Sequence, residues 1–480
     1  MIPRAEANWN RPDNKWLRWV LCLGQALLIA LPALWAAKYV WLLSASLVVL
    51  GLALFSVQRT LLLLILLNIV LPDKVLLALR LPGGLTLQEG FFAMALVFAL
   101  IDLIYWRGLS VRTSAGDLPT SFFLGVAVFS ALVGALHYHS TSLILRDLRF
   151  PLYYAVFFLV TNFADKGLAT RGFLPVLVMA ALVVSTEYTL EFLGSIDLSV
   201  GANFVRIARL EGLALPLALL FILNQFIHDP QRYGRPLLAG LFLCIGLGFV
   251  LTMGRGMWVA FAVGLLTTVW LHHLSQPETR RNLWRTVSLA IGTLAILVAT
   301  AFFFQRLTGA SIGAHALERS RSFVDYERDV HLLGRLFSYG VALQEIAHHP
   351  LLGNGQGATL VIMLFSEDLG RFETATSWTV DNLYLTLLLK MGLLGLLAFG
   401  WLSLRILRLA YRGFAHGQDR QTRAFAGGAV AIMMAMGTLG LSDGAMVNGR
   451  FAIVFGVLYG LIAVLAQPAP DPGKSSLASS

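Results

Sequence analysis

SWTVDNLYLTLLLKMGLLG, residues 377–395, begins with polar residues and continues as a long apolar run with Asp381 at its start. No basic residue lies beside Asp381 in the sequence. A charge at the mouth of a membrane helix is costly, and such charges usually serve a function. The stretch therefore predicts a membrane helix with a functional carboxylate at one end.

The composition favours a membrane protein with many spans. The chain has 480 residues, of which 57% are hydrophobic and 13% are charged, whereas a soluble domain carries about 25% charged residues. The formal net charge is +10, but the basic residues are scattered between apolar segments, so the membrane explains them better than nucleic acid does. Cys22 and Cys244 lie in separate apolar runs and predict neither a disulfide framework nor a metal site.

Apolar runs of about 20 residues, the length that a membrane helix needs, recur along the chain. They predict an all-α polytopic membrane protein, a bundle of 12–14 transmembrane helices with one large outer helical loop. The candidate spans lie near 17–36, 39–57, 60–78, 87–105, 120–137, 149–164, 172–190, 208–227, 236–253, 256–273, 286–305, 383–410, 424–441 and 450–467.

Loop charges predict the orientation. With the N-terminus in the cytoplasm, the inner loops at 106–117, 228–235, 272–285 and 411–423 are short and basic, as the positive-inside rule requires. We divide the chain into four parts: N-terminal transmembrane helices (1–305), a periplasmic loop domain with an amphipathic helix that ends before Pro350 (306–380), C-terminal transmembrane helices (381–467) and a disordered cytoplasmic tail (468–480).

Several arginines are predicted on the outer side, where short loops are normally poor in arginine: Arg146, Arg149, Arg206, Arg209, Arg255 and Arg335. An outward-facing anion such as a lipid-linked diphosphate would explain these arginines, because the planar guanidinium group can bind two phosphate oxygens at once. The alternative is that each arginine reaches lipid headgroups. Glycines flank Arg255 in a turn too short for much headgroup contact, which favours the functional interpretation there.

Three stretches together resemble the O-antigen ligase and O-antigen polymerase family of bacterial envelope glycosyltransferases: TMGRGMWVAFAVGLL (252–266), GRLFSYGVALQEIAHHPLLGNGQG (334–357) and VDNLYLTLLLKMGLLGLL (380–397). The resemblance covers roughly residues 252–400, and the order of its motifs is fairly specific. It implies a GT-C-like helical membrane bundle with a periplasmic loop domain.

The resemblance also implies roles for particular residues. Arg255 and Arg335 match the arginines that hold the donor's diphosphate, and Asp381 would be the catalytic base. The expected substrate-binding residues are Arg206, Arg209, Asn382, Tyr384 and His349. No cofactor and no metal are expected, because the arginines would neutralise the diphosphate.

The implied reaction transfers or polymerises an oligosaccharide from an undecaprenyl-diphosphate-linked donor. Ligases that join O-antigen to lipid A–core typically carry histidine where Asp381 stands, so the resemblance favours a polymerase of O-antigen or exopolysaccharide. The alternatives are an O-antigen ligase, a protein O-oligosaccharyltransferase and, outside the enzymes, a flippase or transporter for lipid-linked oligosaccharides.

The implied location is the bacterial inner membrane, with the active site facing the periplasm. The expected partners are the lipid-linked donor, a glycan acceptor and membrane lipids, with a regulator of chain length as a further candidate and no nucleic acid.

Simpler interpretations stay open for several residues. Asp381 could be the N-cap of the following helix, and GNGQG (353–357) could be a turn or an anion-binding nest. The acidic residues of DYERD (325–329) could bind a metal, although interleaved arginines favour a solvated loop. His348 and His349 precede Pro350 and fit a structural His-Pro better than a base.

Overall fold

The structure is a computed structural model. It describes residues 57–71, 87–105, 112–195, 210–252, 254–275, 330–366, 371–444, 446 and 449–467, together with single positions between 288 and 306. The predicted spans at 17–36 and 39–57 lie outside these residues apart from Val57, and so do Arg206, Arg209 and the DYERD segment.

The chain divides into two compact units, residues 1–67 with 71–112 and residues 68–70 with 113–480. All candidate site residues that the structure describes belong to the second unit.

Helices make up nearly all of the described structure, as an all-α polytopic membrane protein requires. Six of the described helices are long and apolar enough to cross a membrane: Asp117–Leu136, Leu168–Leu193, Glu211–His228, Arg255–Leu274, Leu383–His416 and Arg420–Leu439. The α-helices, in chain order, are α1 (Val57–Val70), α2 (Leu87–Tyr105), α3 (Asp117–Leu136), α4 (Thr141–Leu152), α5 (Val156–Phe163), α6 (Leu174–Ser195), α7 (Ala214–His228), α8 (Arg235–Leu251), α9 (Arg255–Ser275), α10 (Val330–His348), α11 (Leu383–His416), α12 (Arg420–Leu439) and α13 (Gly449–Leu465).

The predicted span at 149–164 is not one helix. It comprises the end of α4, a 3₁₀ turn at Tyr153–Ala155 and the short helix α5. Pro151 lies inside this region, and because proline lacks a backbone N–H it interrupts the regular hydrogen bonding of an α-helix.

Helix α12 lies at the centre of the described bundle, packed against α7, α9 and α11. Glycines permit the close approach to α12: a Cβ at Gly428 would lie 2.5 Å from Phe221 of α7, and one at Gly264 of α9 would lie 3.2 Å from the Ala431 carbonyl oxygen of α12. Small residues at helix contacts are typical of membrane bundles, where van der Waals packing between helices replaces the hydrophobic effect.

Helix α11 is broken. It has 34 residues, and at about 1.5 Å per residue it is far longer than the ~30 Å apolar layer of a bilayer. Gly392, at φ 63° and ψ −166°, interrupts it, and this left-handed φ favours glycine. The short segment from Leu383 to Met391 is therefore a separate helical piece that precedes the main span.

The GNGQG segment is a turn that docks on this break, so the prediction of a turn is confirmed. The amides of Asn354 and Gly355 donate to the carbonyls of Leu389 and Lys390 at 2.8 and 3.1 Å. In return, Leu393 N–H donates to Pro350 C=O at 2.9 Å. These protein partners occupy the amides that an anion-binding nest would need.

Helix α10 and a β-hairpin make up the described part of the outer loop. Strands β1 (Leu360–Ser366) and β2 (Arg371–Ser377) pair antiparallel, and β1 packs on α10 around buried Ala342 and Ile346. The amphipathic helix was predicted, and α10 ends at His348 as expected before Pro350. The hairpin was not predicted.

Gly392→Ala tests the break. A Cβ at this position would lie 2.3 Å from the Leu351 carbonyl oxygen, on a backbone conformation that alanine rarely adopts. We expect a loss of at least about 2 kcal/mol in stability, measured as a lower unfolding temperature in detergent.

The matched control is Gly400→Ala in the same helix, where an added Cβ meets nothing within 4 Å. Because alanine favours a helix by up to about 1 kcal/mol over glycine, this variant should be neutral or slightly stabilised. Equal destabilisation of both variants would contradict a specific role for Gly392.

Candidate functional site

Asn382, not Asp381, caps helix α11. The Asn382 side chain accepts hydrogen bonds from the amides of Tyr384 and Leu385 at 2.9 and 3.0 Å. The interpretation of Asp381 as the N-cap is therefore wrong, and so Asp381 stands just outside the helix with its carboxylate free of a capping role. The expected substrate-binding role of Asn382 stays a prediction.

Asp381 and Arg335 form an ion pair. Arg335 Nε lies 3.2 Å from Asp381 Oδ2, although the two residues are 46 positions apart in the chain. Their side chains are 41% and 60% exposed. The structure thus brings together two of the three residues predicted to be catalytic, and leaves both accessible.

Tyr339 supports this pair from the next turn of α10. Its hydroxyl lies 2.7 Å from the Asp381 carbonyl oxygen and 3.2 Å from the Leu441 carbonyl oxygen. Burial raises the pKa of Tyr339 above its ordinary value of 10.0, and the Arg335 guanidinium opposes this shift. The phenol is therefore a hydrogen-bond donor at neutral pH and ties α10 to the backbone beside Asp381.

The turn after α12 is the common support of the site. Besides Tyr339, the Leu441 carbonyl accepts from the side-chain amide of Asn382 at 2.9 Å. Leu383 N–H donates to Gly440 C=O at 2.7 Å, and Tyr384 OH donates to Gly437 C=O at 2.6 Å. These bonds place the start of α11 against the end of α12.

Arg255 begins α9 at the same turn. A Cβ on the next residue, Gly256, would lie 2.6 Å from Ser442 Oγ and 3.3 Å from Leu439. A side chain at this position would require Ser442 to move, so the glycine that follows Arg255 favours the close approach. Helices α9, α10, α11 and α12 therefore meet around residues 439–442.

Other predicted residues lie elsewhere or serve the framework. The Tyr384 hydroxyl bonds to Gly437, as above, whereas His349 directly follows the end of α10, with its ring centroid 4.7 Å from that of His137. Arg206 and Arg209 lie outside the described residues. Arg146 pairs with Asp147 at 3.1 Å and also lies over the Trp378 ring.

Two features were missed by sequence reasoning. Tyr339 follows Arg335 by four residues, which is the spacing of one helix face, so it could have been found once α10 was predicted. The buried pair of Asp147 and Lys390, 2.5 Å apart, joins residues 243 positions apart and has no local signal in the sequence.

The site combines an exposed carboxylate with a fixed cation. A carboxylate accessible to a hydroxyl group has the chemistry of a general base. A guanidinium beside it binds phosphate oxygens. The arrangement can thus take up a proton at one point and hold an anion close by.

Asp381→Asn and Arg335→Gln should each leave stability nearly unchanged. An ion pair this exposed contributes at most about 1 kcal/mol, because water screens it. Thermal unfolding in detergent measures this. Asn382→Ala is the contrasting variant, since it removes a helix cap worth about 1 kcal/mol or more, and a larger loss from Asp381→Asn than from Asn382→Ala would contradict the assignment of the cap.

Tyr339→Phe should change the dependence of stability on pH. Because the folded-state pKa of Tyr339 is raised, the folded protein holds the phenolic proton more tightly than the unfolded chain does. The stability gained from Tyr339 should be constant below its ordinary pKa of 10.0 and be lost as the pH rises through the folded-state pKa. The difference in unfolding temperature between wild type and Tyr339→Phe should shrink only above pH 10.0, the ordinary pKa of tyrosine. A difference that already shrinks between pH 6 and 8 would contradict this prediction.

Comparison with known proteins bears on the same residues. No curated protein matches the chain at a significant level. The family described as "O-Antigen ligase" matches residues 240–400, about a third of the chain, and this range contains Arg255, Arg335 and Asp381. Over residues 240–400 the chain is thus similar to the O-antigen ligases. This match confirms the resemblance to the O-antigen ligase and polymerase family that the motifs indicated. It is also consistent with a membrane protein that transfers glycans.

Proposed function

We propose that the protein is an integral-membrane glycosyltransferase that polymerises oligosaccharides from an undecaprenyl-diphosphate-linked donor on the periplasmic side of the bacterial inner membrane, without a metal. The observation that carries the proposal is the exposed ion pair of Arg335 and Asp381 at the start of the broken helix α11. Both residues fall within the part of the chain that matches the O-antigen ligase family.

In the proposed reaction, a hydroxyl of the acceptor sugar attacks the anomeric carbon of the donor sugar. The new carbon–oxygen bond forms as the bond to the diphosphate breaks, and the proton of the hydroxyl passes to Asp381. The carboxylate is 60% exposed, so an acceptor hydroxyl has access to it. A positioned base of this kind typically contributes about 10²–10⁴-fold to the rate.

The leaving diphosphate gains negative charge as the bond breaks. Arg335 has five N–H donors, and the bond to Asp381 uses Nε, on one edge of the guanidinium. Arg255, at the turn that supports Asp381, would supply a second cation. Stabilisation of developing charge by fixed cations is often the largest contribution to catalysis, and it supports a mechanism without a metal.

The proposed side of the membrane follows from loop charges. The basic loops predicted at 228–235 and 411–423 lie at the ends of α7 and α11 that are opposite to the site. By the positive-inside rule those loops face the cytoplasm, so the site would face the periplasm.

Asp381→Asn and Arg255→Ala should each lower transfer by at least about 10²-fold, because each removes a group that acts in the transition state. Purified protein is incubated with an undecaprenyl-diphosphate-linked oligosaccharide, and the products are separated by length. Release of undecaprenyl diphosphate gives a second readout of the same step.

The matched control variants each remove one charge of the same sign at a position away from the site. Arg412→Gln lies near the opposite end of α11, and Glu345→Gln replaces an exposed carboxylate on α10. Both should retain wild-type transfer. Full activity in Asp381→Asn and Arg255→Ala together would refute the assigned roles.

The same assay separates the acceptor classes when it is run with and without lipid A–core. Product ladders without added core indicate a polymerase, as Asp381 in place of histidine favours. Transfer to core alone indicates a ligase, and transfer to a protein acceptor alone indicates a protein O-oligosaccharyltransferase. Donor movement across the membrane without any transfer would indicate a flippase and overturn the proposal.

A further inference from the structure

A buried ion pair lies outside the proposed catalytic set. Lys390 Nζ lies 2.5 Å from Asp147 Oδ2, and the side chains of Lys390 and Asp147 are 7% and 0% exposed. Buried charges are costly unless further hydrogen bonds satisfy them. Here Asp147 also accepts from Gly357 N–H at 3.0 Å and from Arg146 Nε at 3.1 Å.

The pair sits at the break in α11. Lys390 precedes Gly392 by two residues, and its carbonyl accepts from Gly355 N–H at 3.1 Å and from Ser130 Oγ at 2.6 Å. The Lys390 side chain is therefore held by Asp147 of α4, and its backbone carbonyl is held by Ser130 of α3 and by the GNGQG turn. Because Gly357 N–H binds Asp147, the same turn joins both halves of this arrangement.

The other end of the short segment carries the proposed site. Leu383 N–H and the Asn382 side chain are bonded to the carbonyls of Gly440 and Leu441, and Asp381 directly precedes Asn382 in the chain. The segment from Leu383 to Met391 is thus anchored at both ends and cut from the main span at Gly392. A shift at the Lys390 end would be transmitted along this rigid piece to Asp381.

A charged pair fixes this end more specifically than an apolar contact would. Hydrogen bonds define direction and register, whereas apolar packing tolerates sliding. The pair also lines a small cavity with Phe150, Trp378 and Thr379, and Thr379 is two residues before Asp381. The pair is therefore connected to Asp381 in two ways: through the helical segment from Leu383 to Met391, and through the residues that follow strand β2.

We infer that Asp147 and Lys390 are positioning residues: their buried ion pair holds the Lys390 end of the 383–391 segment and thereby sets Asp381 against Arg335. The role in catalysis rests on the proposed function, whereas the anchoring itself does not. The inference assigns the pair no contact with the substrate or the reacting atoms.

The deciding variant is the double replacement Asp147→Asn with Lys390→Met. It removes both charges of the pair together, so neither Lys390 nor Asp147 is left as an uncompensated buried charge. Arg146 also loses its bond to Asp147, but its side chain is 28% exposed and keeps its contact with the Trp378 ring. We expect kcat for the undecaprenyl-diphosphate-linked donor to fall about tenfold to hundredfold, as for a catalytic group displaced by about 1 Å, while KM changes less than about twofold. Each single variant that folds should lose kcat by a similar factor, because each breaks the same contact.

Hydrogen exchange of the full-length protein gives a readout that needs no substrate. Protection of the amides in residues 353–357 and 389–394 should fall at least about tenfold in the double variant, while protection within Arg420–Leu439 is unchanged. Ser185→Ala is the control, since it removes buried hydrogen bonds to Cys244 and Gly248 outside the break and should alter neither kcat nor exchange at 389–394.

Wild-type kcat in the double variant, or wild-type exchange at 389–394, would overturn the inference. So would a loss of protection throughout the chain, which indicates a general role in stability. If the wild-type protein transfers nothing from the lipid-linked donor, the proposed function fails, and the exchange experiment still decides whether the pair anchors the segment.

Discussion

The backbone of helix α11 must be satisfied where Gly392 breaks it, and the rest of the site depends on how this is done. A break inside an apolar bundle exposes carbonyl and amide groups that have no water to bond, and such breaks persist only where protein groups replace the lost hydrogen bonds. Residues 350–357 supply those groups on both sides of the break. The segment at 353–357 is a turn, as the sequence favoured over an anion-binding nest, and its hydrogen bonds hold the broken ends of a membrane helix.

The break separates a short helical piece from a long span, and the proposed site lies at the start of the short piece. Discontinuous membrane helices commonly place their ends at substrate sites, because a short piece can be oriented independently of the span. Here the short piece starts at the turn around Leu441, where α9, α10 and α12 also meet. Arg335 and Asp381 come from distant parts of the chain and meet at this point.

Two ion pairs of this region, Arg335 with Asp381 and Asp147 with Lys390, differ in environment. Arg335 and Asp381 are exposed, so their attraction adds little to stability and leaves both groups open to a ligand. Asp147 and Lys390 are buried and hydrogen-bonded to the backbone at the break, so their contact is directional and hard to replace. The accessible pair and the buried pair thus lie at opposite ends of the segment from Leu383 to Met391.

The sequence by itself determined the class of fold and indicated which charged residues to expect at the proposed site. Hydropathy and length are local properties, so the membrane helices, the helix before Pro350 and the unusual carboxylate at Asp381 were all readable from the chain. The positions of Arg255 and Arg335 followed from motif resemblance, which the family match supports.

Only the tertiary structure decided that Asn382 caps the helix, that Arg335 meets Asp381, and that Lys390 pairs with Asp147. These are contacts between residues far apart in the chain, or choices between neighbouring side chains, and they depend on the relative placement of helices rather than on any periodicity within them. The β-hairpin at 360–377 was missed because its pairing, too, is decided by the surface of α10 against which it packs.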